Sequence, residues 1–132
     1  GWSAVIVGIG NLGSALAHYG GFREKGFGIV GLFDADPKKV NSQVAGLVIK
    51  PLSDLEKYCE KFNVAIGIIA TPGQYAQEVA EELINCGVRS ILNFAPVLLK
   101  NTPDVQIRSV DLSQELQILS YYLDRPVLKA VD

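Results

Sequence analysis

The 132-residue sequence contains no methionine, one tryptophan, one histidine and two cysteines. Cys59 and Cys86 show no C-x-x-C spacing and no histidine-rich company, which argues against a metal centre or a disulfide framework. Both fall in predicted helical segments, so they are read as reduced, part-buried residues of a cytoplasmic protein. A translation product begins with methionine, and the first predicted strand opens three residues from the terminus. A truncated or processed piece whose missing part lies upstream is therefore expected, with a small independent domain that has lost its initiator as the alternative. Apolar runs such as Val64–Ala70 fall far short of the roughly 20 residues that cross a bilayer, and no charged-then-apolar leader precedes the first strand. The twelve basic residues are scattered and the net charge is -2, so the chain carries no electrostatic footprint for nucleic acid of its own.

What is present is a regular alternation. At 48% hydrophobic and 20% charged, the chain suits one globular unit that buries its own core. Ala4–Val7 and Ile29–Phe33 are apolar, β-branched runs of the kind buried on both faces of a sheet. Between them Leu12, Ala15, Leu16 and Tyr19 recur at helical spacing, and Gly20-Gly21 is expected to stop that helix. Val48-Ile49 is a weaker strand candidate. Ser53 is expected to cap a helix reaching Phe62, with Glu56 closing a capping box. Val64–Ala70 predicts a strand, and Pro72 opens a helix through Ala76, Val79, Ala80, Leu83 and Ile84 that Gly87 ends. Strands at Ser90–Phe94 and Gln106–Val110 follow, then a helix from Leu112 to Leu123 capped by Asp111 with Gln114. The pattern implies an α/β, Rossmann-like, doubly wound and mainly parallel sheet.

Gly8-Ile9-Gly10-Asn11-Leu12-Gly13 fits G-x-G-x-x-G, a weak signal alone. Its context strengthens it, because a strand precedes it, a helix follows, and a second strand ends at Asp34. In such a turn the first glycine makes the bend, the second lets a pyrophosphate approach the backbone, and the third lets helix and strand close up. Asp34 is expected to accept hydrogen bonds from both adenosine ribose hydroxyls and to repel a 2′-phosphate, favouring NAD over NADP. Lys38 and Lys39 are read as solvated surface residues. A different nucleotide such as coenzyme A, or no ligand, is the alternative.

Groups that drive turnover are scarce. His18 falls late in the first helix and is read as a surface or packing residue, Tyr19 as core packing, and Asp36 and Asp54 as turn and cap residues. The strand ends Ala70-Thr71-Pro72 and Asn93-Phe94-Ala95-Pro96 are placed to meet the far half of a dinucleotide. No catalytic residue and no metal ligand is assigned. Leu112, Leu116, Leu119 and Leu123 form an apolar stripe, beside Ile118, Tyr121 and Tyr122, that packs either on its own sheet or into a second subunit.

With those residues in view, the chain resembles the nucleotide-binding domain of the Rex family, bacterial repressors that sense NADH and NAD⁺. The resemblance rests on Gly8–Gly13 with Tyr19, on Phe33–Pro37, on the run from Ile91 to Val97, and on the run from Val110 to Leu116. It implies a homodimer that exchanges its C-terminal helices and releases operator DNA when NADH binds, with NAD⁺ competing. It also implies a redox-dependent switch at Tyr19 and Asp111, and a division into an NAD(H)-binding part, 1–110, and a dimerisation helix and tail, 111–132. The family's winged-helix domain precedes this region, and the family commonly shows Thr-Val-Pro where Ala70-Thr71-Pro72 stands. The competing readings are an NAD(P)- or coenzyme A-binding domain of a truncated oxidoreductase or ligase, and a structural dimerisation module with an empty crevice.

Overall fold

The computed structural model describes residues 1 to 123. β1 (Trp2–Val7) leads into α1 (Asn11–His18), a single turn α2 (Gly21–Glu24) and β2 (Phe27–Asp34). A short hairpin of β3 (Gln43–Val44) and β4 (Leu47–Pro51) precedes α3 (Leu55–Phe62) and β5 (Ile66–Ile69). α4 (Gly73–Asn85), β6 (Ser90–Asn93), β7 (Gln106–Ser109) and α5 (Leu112–Leu123) complete the order. The seven strands lie as β3-β4-β2-β1-β5-β6-β7, all pairs parallel except the β3–β4 hairpin. The chain winds from β1 to one side through β2 and β4, then returns to β5 on the other side. The carboxyl ends of β1 and β5 therefore flank the point where strand order reverses, which is where open α/β sheets hold ligands.

Alternation along β1 explains the two cores. Val5 and Val7 point to one face and pack with Leu55, Cys59, Ala76, Val79, Ala80 and Leu83 of α3 and α4. Ile6 points to the other and joins Leu32, Ile49 and Ile68 beneath α1 and α2, represented by Leu16, Ala17 and Phe22. Gly67 lets α4 settle on the sheet, since a Cβ there would lie 2.6 Å from Leu83 Cδ1. The second face is closed only in part. Phe22, Phe27, Ile29, Ile66, Ile68 and Leu92 line an apolar hollow of about 230 Å³ beside the β5–β6–β7 half.

Several local expectations need correction. α1 stops at His18, and Gly21 starts α2. A Cβ on Gly21 would overlap the ring of Tyr19, an exposed side chain with room to swing aside. Ser53 does not cap α3: Leu52–Asp54 form a 3-10 turn, the cap position passes to Asp54, and no side chain bonds the helix start. β3 has too few residues to show a period. The capping box expected for α5 involves the Gln114 side chain, which lies outside the described residues, as does the expected dimerisation segment beyond Leu123.

Candidate nucleotide site

The turn after β1 is built by backbone demands. Gly8 has φ +98°, and a Cβ there would lie 2.7 Å from the Ala70 carbonyl carbon and the Thr71 nitrogen, so only glycine fits between β1 and the exit of β5. Gly10 precedes α1 and faces open space, whereas a Cβ on Gly13 would run into the Gly8 carbonyl. α1 thus presents its first N–H groups and its positive dipole end at the turn, with no acidic residue in the first turn and no capping side chain.

Asp34 ends β2 beside that turn. Its Oδ2 accepts the Ile9 N–H at 2.7 Å and its Oδ1 accepts the Asp36 N–H at 2.8 Å. One carboxylate therefore ties the glycine turn to the end of the neighbouring strand across 25 residues of sequence. Gly8, Gly10, Asp34, Ala70, Thr71 and Pro72 line a single crevice of about 800 Å³, within the range of small-molecule clefts. The structure brings these six predicted residues together.

Other predicted residues sit elsewhere. Ile9 is buried beneath the turn, Asn11 is exposed at the start of α1, Leu12 is half-buried and Gly13 is buried. Asn93 and Ala95 are buried, Phe94 packs on the second core, and Pro96 is exposed. None of the four lines the crevice. Tyr19 is 60% exposed, contrary to the core-packing expectation, and meets Phe22 edge-on at 5.0 Å. His18 is exposed, its Nδ1 paired with the Ser14 carbonyl at 2.9 Å. Asp111 is exposed ahead of α5, and Leu112, Leu116, Leu119 and Leu123 all face solvent. Packing of α5 on its own sheet is therefore not what this fold shows.

The crevice also has walls that sequence reasoning passed over. Lys39, read as a surface lysine, lines it together with Asp36 and Leu52. Tyr75, Glu78, Val79 and Glu82 line it from α4. Their i, i+3, i+4, i+7 spacing after Pro72 was the available signal, since it places them on one helix face next to the end of β5. Burial first, and then Glu78, push the Glu82 carboxyl above its usual pKa. Cys59 and Cys86 are free thiols in hydrogen-bonding contact between α3 and the end of α4. Burial and the neighbouring thiol push Cys59 from 9.0 up to about 12, so it is protonated and inert as a nucleophile at neutral pH. Among the described residues no group of three or more His, Cys, Asp or Glu is placed to hold a metal ion, and no helix is long and apolar enough to cross a membrane.

Comparison with known proteins follows the same lines. Residues 1–97 match the family model described as CoA binding domain. The redox-sensing transcriptional repressor Rex of Streptomyces coelicolor is 51% identical over 124 residues, 94% of this chain and 48% of that protein. The repressor of the same name from Desulfitobacterium hafniense is 48% identical over 91% of this chain and 57% of its own length. The crystal structure of RSP, a Rex-family repressor, in complex with β-NAD⁺ and operator DNA superposes with a TM-score of 0.86 at 33% identity, covering 93% of this chain and 57% of that one. The chain belongs to the CoA binding domain family and matches the nucleotide-binding domain of Rex repressors. The RSP complex with β-NADH covers 99% of this chain at 32% identity, again with a TM-score of 0.86. The chain spans about half the length of the curated Rex proteins it matches. A sugar-nucleotide dehydrogenase from Vibrio fischeri, at 23% identity and a TM-score of 0.58, shares the fold alone.

Proposed function

We propose that this Rex-type domain binds NADH and NAD⁺ in the crevice between β1 and β5 and acts as the ligand-sensing, dimerising part of a redox-responsive repressor. The carrying observation is Asp34, which holds the glycine turn and lines the crevice beside Gly8 and Gly10. The pyrophosphate lies over Gly8–Gly13 at the α1 terminus, and the ribose hydroxyls meet Asp34. The far half of the dinucleotide runs past Ala70, Thr71 and Pro72 toward the 93–96 segment. The domain is a receptor for the ligand and not an enzyme. In the whole protein, operator DNA is held by a domain outside this chain and is released on NADH binding, in the cytoplasm.

A homodimer accompanies this reading. α5 leaves its leucine stripe in solvent, and the second sheet face beside β5–β6–β7 has an open apolar hollow. Exchange of α5 between two copies covers both surfaces at once. Tyr19, exposed at the end of α1, and Asp111, at the base of α5, are the residues assigned to the redox-dependent switch. Tyr19→Phe should fold normally yet narrow the difference between NADH and NAD⁺ binding; an unchanged difference removes Tyr19 from the switch.

Coenzyme A is the second reading, favoured by the family model that residues 1–97 match. Asp34 and Asp36 in the crevice oppose it, because coenzyme A carries a phosphate on the ribose that these carboxylates repel. Calorimetric titration with NADH, NAD⁺ and coenzyme A separates the readings. NADH should bind most tightly and coenzyme A not measurably; saturable coenzyme A binding without NADH binding would reverse the assignment.

A further inference from the structure

Asn93 is the buried polar side chain of the described core, at 0% exposure. A buried amide persists where its donors and acceptors are met. Its Oδ1 accepts the Ala95 N–H at 3.0 Å. Its Nδ2 donates to the Val97 carbonyl at 2.9 Å, with longer contacts to the Ala95 carbonyl at 3.3 Å and Ser109 Oγ at 3.4 Å. Turning the amide over would set its oxygen against two carbonyls, so the network itself fixes the orientation. With these bonds made, the amide is committed within the protein and does not offer itself to a ligand in the crevice.

Those bonds lie where the 95–97 turn meets the end of β7. The 95–97 turn abuts the start of α4, where a Cβ on Gly73 would lie 2.8 Å from Val97 Cγ1, and Gly73 directly follows the crevice-lining Pro72. The same loop is pinned to α4 further on, where the Lys100 N–H donates to Gln77 Oε1 at 2.9 Å. On its other side, Asn93 pairs with Ser109 across β6 and β7, and its carbonyl accepts the Val110 N–H at 2.8 Å. Val110 stands two residues before α5. The amide thus touches both the 95–97 turn and the strand end that leads into the terminal helix.

We infer that Asn93 is a positioning residue whose amide couples the 95–97 turn, which abuts Gly73 next to crevice-lining Pro72, to the base of α5. The inference deepens the nucleotide-sensing reading and rests on it: ligand that orders the turn also orders the segment from Ser109 to Leu112.

Amide hydrogen exchange of the 132-residue chain, with and without NADH, tests this. In the unsubstituted chain NADH should slow exchange at Gly10–Gly13, at 94–97 and at 109–112. Asn93→Ala should keep the slowing at Gly10–Gly13 and lose it at 109–112. A merely structural role would weaken both regions alike, and that result, or a 109–112 response equal to that of the unsubstituted chain, would overturn the coupling. Should Asn93→Ala fail to fold, Ser109→Ala, at an exposed position, serves instead. It should reduce the 109–112 response while leaving Gly10–Gly13 unchanged, and no reduction counts against the coupling. If NADH does not bind the unsubstituted chain, the nucleotide reading fails, and the coupling is still read without ligand. Asn93→Ala should then speed exchange about tenfold at Ala95, Val97 and Val110 together. Acceleration confined to Ala95 and Val97 would show that the amide stops at the turn.

Discussion

Both oxygens of the Asp34 carboxylate are engaged by backbone N–H groups, one from Ile9 inside the glycine turn and one from Asp36. Hydrogen bonds to a charged group contribute about 1.5–3 kcal/mol each. Asp34→Ala should therefore lower the stability of the chain without ligand as well as remove its response to ligand. Thermal unfolding with and without NADH checks this: the variant should melt lower and lose most of the NADH-induced rise in Tm. A variant that keeps the full rise would place the ribose elsewhere. The acid at the end of β2, beside the glycine turn, was legible in the sequence because strand, turn and helix preceded it at the right distance. Its grip on Ile9 was not, because a bond spanning 25 residues depends on how β1 and β2 lie side by side. Asn93 illustrates the same limit: its residue type suggests a ligand contact, yet burial turns its amide inward.

Cys59 gives a second prediction at this scale. Its thiol has a folded pKa of about 12 against an ordinary 9.0, so between those values the folded chain holds a proton that the unfolded chain has lost. Protons bound in excess by the folded state make stability fall as pH rises. The contribution of Cys59 is intact below pH 9 and is lost progressively toward pH 12. Urea unfolding across that window should show the decline, and Cys59→Ala should flatten it. A slope as steep in the variant would assign the decline to other groups.

At the scale of elements, the buried strands were readable from their apolar runs, and α4 from its period. α2 and β3 were not: a single helical turn and a two-residue strand show no period, and their formation depends on contacts with β2 and β4. The face of α4 that lines the crevice carried a readable signal in Tyr75, Glu78, Val79 and Glu82. α5 was readable as an amphipathic helix, but its sequence left two destinations for the stripe. The structure leaves Leu116 and Leu119 at 64% and 58% exposure, which makes Leu119→Asp a clean probe. An aspartate there costs a solvated helix only about 0.5 kcal/mol in propensity, and its charge opposes burial in a partner. Analytical ultracentrifugation should find the unsubstituted chain dimeric and Leu119→Asp monomeric, with unchanged helix content by circular dichroism. A variant that stays dimeric would move the interface away from α5.

For the whole molecule, the strand order creates one crevice at the reversal between β1 and β5, and the sequence places its glycines and its acid there. The same winding leaves the leucine stripe of α5 in solvent and an apolar hollow open on the second sheet face. The proposed coupling runs beside them, from the 95–97 turn through Asn93 to Val110. The direct measurement is calorimetric titration of the chain with NADH and with NAD⁺ under one condition. Both ligands should bind at one site per chain, NADH the more tightly, with each displacing the other. Equal affinities, or no binding of either, would contradict a domain that senses the redox state of its nucleotide.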